Sequence, residues 1–133
     1  FYPRSMRHIV TAARAHGAPR ILLHGSVGAG ENMALFPQAP FGRMAPTLAA
    51  KGEAEKILED SGLDWAIIRN GILMPAGTPA TGKALLSADQ RLMRSVTRAD
   101  LARLTVECLA AEDCFGHVWH AVDESLPFPD RYR

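Results

Sequence analysis

Cysteines and clustered charges are scarce in this sequence, and their scarcity excludes several classes of protein. Cys108 and Cys114 are the only cysteines, fewer and less clustered than a disulfide framework or a zinc site requires, so both are expected to be reduced. Fifteen basic and fourteen acidic residues leave a formal charge of +1, and no basic block is longer than two residues. The positive patch that nucleic-acid binding needs is therefore missing. The composition predicts a cytoplasmic protein without a nucleic-acid partner.

Long apolar runs are missing as well. No run approaches the ~20 apolar residues of a membrane span, and the amino terminus lacks the basic region and apolar core of a signal peptide. We therefore expect no membrane partner. The 133 residues are enough for one domain, residues 1–133. Because the sequence begins with Phe1 rather than Met, we expect this domain to be truncated or processed.

Helical periodicity predicts two helices near the ends of the chain. The first spans about residues 4–16, with Ser5 as its N-cap and Gly17 as its C-terminal stop. The second begins after Thr97, which has Asp100 three residues later in the spacing of a capping box, and continues to about residue 111. Asp100 is better explained by this cap than by a catalytic role.

A third helix lies in the middle of the chain and leads into a buried strand. Pro46 suits its first turn, and Gly62 follows the last periodic residue, as a left-handed C-cap requires. Its apolar stripe consists of Ala50, Ala54, Ile57 and Leu58, and the charged residues on its other faces are Lys51, Glu53, Glu55, Lys56 and Glu59. Residues 63–68 are almost entirely apolar, which predicts a parallel strand covered on both faces.

Further short apolar runs complete an alternation of helices and strands. Residues 20–24 predict a buried strand, and residues 117–122 predict the last one. Residues 83–87 and 92–96 are expected to pair with each other as a small β pair. Alternating helices and strands predict an α/β fold with right-handed crossovers and a parallel sheet. A glycine-rich loop containing Gly25, Gly28 and Gly30 follows the first strand. No amphipathic helix starts directly after it, so the pattern does not favour a phosphate cradle.

Several motifs occur in an order that resembles one family. They are Ser26 after a strand, K-x-x-x-E from Lys51 to Glu55, S-G-L-D-W at 61–65, A-I-I-R-N-G-I-L at 66–73, T-G at 81–82 and V-T-R-A-D-L-A at 96–102. Together they resemble the carboxyl-terminal half of the atypical short-chain dehydrogenase/reductase family, with NmrA-like and flavin/biliverdin-reductase-like members as the nearer kin. The resemblance implies a partial Rossmann-like, doubly wound parallel sheet with three main helices. It also implies that the half carrying the glycine-rich pyrophosphate turn precedes Phe1.

The resemblance implies a site for NADP or NAD. Lys51 would bind the nicotinamide ribose, and Gly25 and Ser26 would also contact the cofactor. The predicted catalytic residues are Lys51 and Ser26, whose hydroxyl would polarise a carbonyl of a small-molecule substrate. The plainer alternatives are a solvated lysine beside Glu55 and a turn serine that satisfies its own backbone.

Residues Arg69, Asn70, Gly71 and Ile72 resemble the family's R-P-G loop beside the nicotinamide, with Asn70 in place of proline. Gly71 would permit close approach of the carboxamide. The alternative is that Arg69 pairs with an acidic residue and Gly71 only turns the chain. A metal site is not expected, because His117 and His120 are three apart in a strand and point to opposite faces.

One position departs from the family's pattern and limits the reaction. Thr47 stands four residues before Lys51, where alcohol-oxidising members have a tyrosine, and its hydroxyl is too weak an acid to replace a phenol. Tyr2 and Tyr132 are the only tyrosines, and both lie near the chain ends. The expected function is therefore reduction of a flavin, quinone or similar conjugated molecule.

Two alternatives to catalysis stay open. An NmrA-like regulatory protein would bind the dinucleotide without turning it over. A fragment with an open strand edge would bind nothing well until that edge pairs with the missing half or with a homo-oligomer partner.

Overall fold

The computed structural model describes residues 1–132, which form three helices and six strands. The helices are α1 (Tyr2–His16), α2 (Ala45–Glu59) and α3 (Arg98–Ala110). The strands are β1 (Arg20–Ser26), β2 (Asp64–Asn70), β3 (Ile72–Leu73), β4 (Leu85–Ser87), β5 (Ser95–Val96) and β6 (Val118–Val122). Short 3-10 turns occupy Gly30–Leu35, Gly42–Met44, Glu112–Cys114 and Asp130–Tyr132. The three predicted helices are confirmed.

The main sheet has the strand order β1-β2-β6-β4, and its first three strands are parallel. β1 and β2 pair along their whole length, from Arg20 opposite Asp64 to Ser26 opposite Asn70. The predicted α/β, Rossmann-like sheet is confirmed. Because parallel strands end at the same edge, Ser26 and Asn70 come together at the carboxyl-terminal edge of the sheet.

Helices cover both faces of this sheet. Ile67 and Ile68 are adjacent in β2, so their side chains point to opposite faces, and each is fully buried. The cluster around Ile67 contains Met6, Val10, Ala54 and Leu58 from α1 and α2. The cluster around Ile68 contains Ala66, Ala84, Val96, Leu101, Leu104, Cys108, Cys114 and Ala121. Burial on both faces explains why the β2 sequence is nearly all apolar.

The predicted β pair between residues 83–87 and 92–96 is wrong. β4 pairs antiparallel with β6, from Leu85 opposite Val122 to Ser87 opposite His120. β5 instead pairs parallel with β3 in a separate two-stranded sheet. The apolar pattern located both strands but carried no information about their partners, because pairing of edge strands is set by the rest of the sheet.

The start of α1 also differs from its prediction. The Ser5 N–H donates to the Phe1 carbonyl at 3.0 Å, so Ser5 lies inside the first turn and is not its cap. The helix starts at Tyr2 with Pro3 in its first turn, where the N–H that proline lacks would have no helical partner. Gly17 ends the helix in the left-handed conformation with φ 70°, as expected.

A buried carboxylate joins the start of α3 to the loop before β4. Thr97 caps α3 and accepts the Asp100 N–H at 2.9 Å, which confirms the predicted cap. The Asp100 carboxylate also accepts the Thr81 N–H at 2.8 Å and the Gly82 N–H at 3.1 Å. Burial raises the pKa of Asp100, but the hydrogen bonds from Thr97, Thr81 and Gly82 outweigh it and hold that pKa below its usual value.

The cysteines form a disulfide, so the prediction that they are reduced is wrong. The Cys108 and Cys114 Cα atoms lie 5.4 Å apart. Cys108 is in the last turn of α3, and the chain then reverses through Glu112–Cys114. Counting cysteines missed this pair because the reversal, not the number of thiols, brings the sulfurs together. Among the described residues, no helix is both long and apolar enough to cross a membrane.

The disulfide can be tested by thiol counting and by unfolding. Without reductant, the denatured chain should react with no maleimide, and after reduction both thiols should react. Cys114→Ser should lower the free energy of unfolding by about 2 kcal/mol, because the bridge closes a short loop in the unfolded chain. The double variant Cys108→Ser/Cys114→Ser is the control and should lose a similar amount. Two reactive thiols in the unreduced protein would contradict the pairing.

Candidate functional site

A lysine and a serine meet at the carboxyl-terminal edge of the sheet. Ser26 is the last residue of β1, and Lys51 lies in the second turn of α2. The Lys51 Nζ donates a hydrogen bond to the Ser26 Oγ at 2.7 Å. The structure therefore brings together the two side chains that were predicted to be catalytic. Their chemical roles stay predictions.

The Lys51 ammonium has no carboxylate partner among residues 1–132. Glu55, one helical turn later, does not pair with it. A cation that is half-buried and bonded only to a hydroxyl keeps N–H donors available for a polar ligand. The Ser26 Oγ accepts this hydrogen bond, so its own O–H is available as a donor.

Glu55 is instead buried in an ion pair with Arg69 of β2, although the sequence placed it on a polar face of α2. Arg69 donates from Nη2 to Glu55 Oε2 at 2.6 Å and from Nε to Oε1 at 3.2 Å. The side chains are 12% and 3% exposed, respectively. Gly25 makes room for this carboxylate, since a Cβ there would lie 2.5 Å from Glu55 Oε1. Gly25 therefore serves packing at this site.

Arg69 also holds the loop between β4 and β5. Its Nη1 donates to Gln90 Oε1 at 3.1 Å, and Gln90 Nε2 donates to the Val118 carbonyl at 2.8 Å. Asn32 provides a third hydrogen bond, in which its Nδ2 donates to the Gln90 carbonyl at 3.0 Å. The alternative in which Arg69 pairs with an acidic residue is thus the arrangement that the structure has. Its guanidinium is occupied by protein groups.

The rest of the predicted loop is held by main-chain contacts. The Asn70 carbonyl accepts the Val27 N–H at 3.0 Å, and the Ile72 N–H donates to the Arg94 carbonyl at 3.2 Å. A Cβ on Gly71 would lie 2.5 Å from the Arg94 oxygen. The close approach that Gly71 permits is therefore to the neighbouring chain segment. Binding of a ligand by Asn70, Gly71 and Ile72 stays a prediction.

The glycine-rich loop is filled by the protein itself. The Gly28 N–H donates to Asn32 Oδ1 at 2.7 Å, and a Cβ on Gly28 would lie 2.7 Å from the Phe41 ring. Gly52 of α2 packs against Gly30, because a Cβ on Gly52 would lie 2.4 Å from the Gly30 Cα. In this structure the Gly28 N–H is therefore bonded within the loop, and Gly28 and Gly52 allow close packing.

His120 is a buried titratable residue next to the ion pair. It lies in β6 opposite Arg69, and its Nδ1 is 2.7 Å from the Leu92 carbonyl. Its Nε2 has no hydrogen-bond partner among the described residues. Burial lowers the pKa of His120, and the nearby Arg69 charge lowers it further. No group of three or more His, Cys, Asp or Glu side chains in residues 1–132 could hold a metal.

Tyr2 lies beside Lys51, a contact that the sequence did not predict. The Lys51 Nζ is 5.4 Å from the centroid of the Tyr2 ring. Its position near the end of the chain led us to discount it, but α1 packs along α2 and brings its first turn to the site. Thr47, by contrast, is exposed on α2. The helical spacing of Tyr2 and Met6 was the feature of the sequence that could have placed Tyr2 on the face of α1 that packs against α2.

Comparisons with known proteins agree with this architecture. A family model described as NAD(P)H-binding matches residues 3–112. Two uncharacterized chloroplastic proteins of Arabidopsis thaliana are similar in sequence. One is 35% identical over 108 residues, 78% of this chain and 32% of the relative. The other is 32% identical over 111 residues, 80% of this chain and 39% of the relative. The chain thus spans about a third of the length of these curated relatives.

One solved structure that the chain resembles is ChuY, an anaerobilin reductase from Escherichia coli O157:H7. The TM-score is 0.80 at 27% identity, and the alignment covers 93% of this chain and 59% of ChuY. The similarity extends over nearly the whole described chain.

The ion pair should dominate the stability of this region. Glu55→Gln leaves the Arg69 guanidinium buried without a counter-charge, so we expect a loss of roughly 2 to 3 kcal/mol in the free energy of unfolding. The matched control is Glu107→Gln, because Glu107 pairs with Arg103 at 3.0 Å on the exposed side of α3 and should change stability by about 0.5 kcal/mol or less. Equal effects in urea unfolding would contradict a special role for Glu55.

His120 should make the fold sensitive to mild acid. Its folded pKa lies below the unfolded value of about 6.5, so the unfolded chain takes up its proton first as the pH falls. Stability should therefore decrease as the pH falls below about 6.5. His120→Asn keeps a donor for the Leu92 carbonyl and removes the titration, which should flatten this decrease. The exposed His117→Asn is the control. If His120→Asn leaves the change in stability between neutral and mildly acidic pH unaltered, His120 is not the source of the acid sensitivity.

Proposed function

Because the chain belongs to the NAD(P)H-binding family, we propose that it provides the nicotinamide-facing part of an NAD(P)H-dependent reductase. The observation that carries the proposal is the hydrogen bond between Lys51 and Ser26 at the carboxyl-terminal edge of the parallel strands. Ligands of doubly wound α/β folds bind at this edge. Since the chain spans only part of its relatives, the activity of the whole protein is part of the proposal.

The residues present fit a nicotinamide ribose. An ammonium with free N–H donors suits a pair of sugar hydroxyls, and Lys51 has no carboxylate partner in residues 1–132 to compete for it. Ser26 holds the amine from one side and keeps a hydroxyl proton that can be donated to a substrate carbonyl. Arg69 would act indirectly, by fixing Glu55 and Gln90 around the site. The choice between NADP and NAD depends on residues outside this edge of the sheet.

The substrate that the site supports is a conjugated acceptor such as a flavin or a quinone. NAD(P)H supplies a hydride when bound, and the acceptor gains two electrons with it. Thr47, the residue four positions before Lys51, is exposed and offers no acidic proton. An acceptor that delocalises the incoming charge needs less protonation during the transfer, and it can take its proton from water afterwards. The similarity to an anaerobilin reductase supports reductive chemistry.

A second candidate is an NmrA-like regulatory protein that binds the dinucleotide without turnover. The exposed Thr47 in place of a tyrosine favours it, because the site then has cofactor-binding groups without a dedicated acid. Oxidation of NADPH with flavin or quinone acceptors separates the two functions. Turnover that depends on Ser26 and Lys51 supports the reductase, and binding with no turnover for any acceptor supports the regulatory protein.

Removing the Lys51 amine should weaken dinucleotide binding. We expect Lys51→Met to raise the Kd for NADPH about tenfold, since charge-assisted hydrogen bonds typically contribute ~1.5 to 3 kcal/mol. Ser26→Ala should have a smaller effect in the same direction, because it removes only the contact that holds the amine. Lys83→Met is the matched control, as Lys83 is exposed and precedes β4, the strand at the opposite end of the sheet from β1.

The measurement is titration of the chain with NADPH, followed by nicotinamide fluorescence, and circular dichroism verifies that each variant is folded. If Lys51→Met and Lys83→Met bind NADPH as tightly as the unaltered chain, Lys51 does not contact the cofactor. Absence of NADPH and NADH binding to the unaltered chain up to ~1 mM would oppose the proposal for this chain, since such affinities are worth less than ~4 kcal/mol.

A further inference from the structure

The Lys51 ammonium has a second neighbour besides Ser26, the aromatic ring of Tyr2. The ring centroid lies 5.4 Å from Nζ, within the ~6 Å over which a cation is attracted to the face of an aromatic ring. Tyr2 is 37% exposed, so its ring is partly covered by the protein. The ammonium therefore contacts both the Ser26 hydroxyl and the ring.

The fold directs Tyr2 to this position. Tyr2, Met6 and Val10 are spaced four residues apart in α1, which puts them on one face of the helix. Met6 and Val10 are buried in the cluster with Ala54 of α2. The same face that packs α1 against α2 thus carries the Tyr2 ring to Lys51.

Tyr2 also closes a small gap behind the amine. A cavity of about 90 Å³ is lined by Tyr2, Leu23, His24, Gly25, Lys51, Ala54 and Glu55. This volume is much smaller than a typical ligand pocket of ~300 Å³ or more. The ring therefore forms part of the wall of a cavity that is too small to hold a dinucleotide.

We propose that Tyr2 is a positioning residue whose ring face holds the Lys51 ammonium against the Ser26 hydroxyl. Its consequence for cofactor affinity rests on the proposed function, but its effect on the lysine does not. The interaction requires an aromatic face and not a phenol hydroxyl. Phenylalanine should therefore replace Tyr2 in this role, whereas leucine, which has a similar helix preference and apolar character, should not.

The test uses the fact that the sequence has only three lysines, Lys51, Lys56 and Lys83. Biosynthetic labelling with ¹³Cε-lysine gives one NMR signal for each, and Lys51→Met identifies the signal of Lys51. A methylene next to a ring face is shifted upfield by the ring current. We expect this upfield shift for Lys51 in the unaltered chain and in Tyr2→Phe, and we expect its loss in Tyr2→Leu. Tyr132→Leu changes the other tyrosine and should leave the Lys51 signal in place.

NADPH titration of the same variants measures the consequence for the site. Tyr2→Leu should weaken binding about three- to fivefold, the effect expected for a partly exposed cation–π contact, and Tyr2→Phe should bind like the unaltered chain. Lys51→Met and Lys51→Met/Tyr2→Leu should then bind equally weakly, because Tyr2 acts only through the lysine.

The outcomes separate this proposal from the proposed function. Absence of an upfield shift for Lys51 in the unaltered chain overturns the proposal, as does equal loss of binding in Tyr2→Phe and Tyr2→Leu, which would assign the role to the hydroxyl. Loss of the shift in Tyr2→Leu with unchanged NADPH affinity overturns the positioning role and leaves the proposed function intact. If the Lys51 shift responds to the Tyr2 variants as expected but the chain binds no dinucleotide, the contact between Tyr2 and Lys51 is supported. The same result refutes the proposed function.

Discussion

The buried ion pair between Glu55 and Arg69 fixes how α2 lies on the sheet. Arg69 belongs to β2, a central strand, and Glu55 faces it from the helix with two hydrogen bonds. Rotating α2 about its axis would separate two buried charges, which typically costs several kcal/mol. Lys51 lies one helical turn before Glu55 and therefore on the same face. The constraint that holds Glu55 on Arg69 thus also brings Lys51 to the end of β1.

Glycines make this arrangement possible where a side chain would block it. Gly25 leaves room for the Glu55 carboxylate against β1, and Ser26 follows it directly, so the charged contact and the polar contact are one residue apart on the strand. Gly52 lets α2 approach the loop at Gly30. Close packing on both sides of Lys51 limits the positions that its long side chain can adopt. A flexible lysine is thereby held without a carboxylate partner among the described residues 1–132.

The sequence predicted the elements well because local rules determine them. Apolar periodicity and caps located the three helices, and the apolar run of β2 indicated a strand buried on both faces. The family resemblance singled out Ser26 and Lys51, since both positions occur in matching motifs, but it did not predict the hydrogen bond between them. Periodicity could not predict the burial of Glu55, because a stripe pattern assigns charged residues to the surface and does not show a partner in another strand. The partners of β4 and β5 were mispredicted for the same reason, because those partners lie in distant parts of the chain. The disulfide was missed for a local reason, since the chain reverses between Cys108 and Cys114.

The exchange of a tyrosine for Thr47 changes what the lysine can contribute. Where a phenol stands one turn before the lysine, the ammonium can stabilise the phenolate that forms when the proton is given up. Thr47 is exposed and far too weak an acid to act in this way, so here the ammonium would contribute through binding and orientation. Tyr2 reaches the same amine from another helix, with its ring face rather than as a neighbour on α2. An aromatic face attracts an ammonium without taking part in proton transfer, so the Tyr2 ring would contribute by holding Lys51 in place. A lysine held in this way would suit the proposed reductase, in which it binds a ribose and the acceptor takes its proton from solvent.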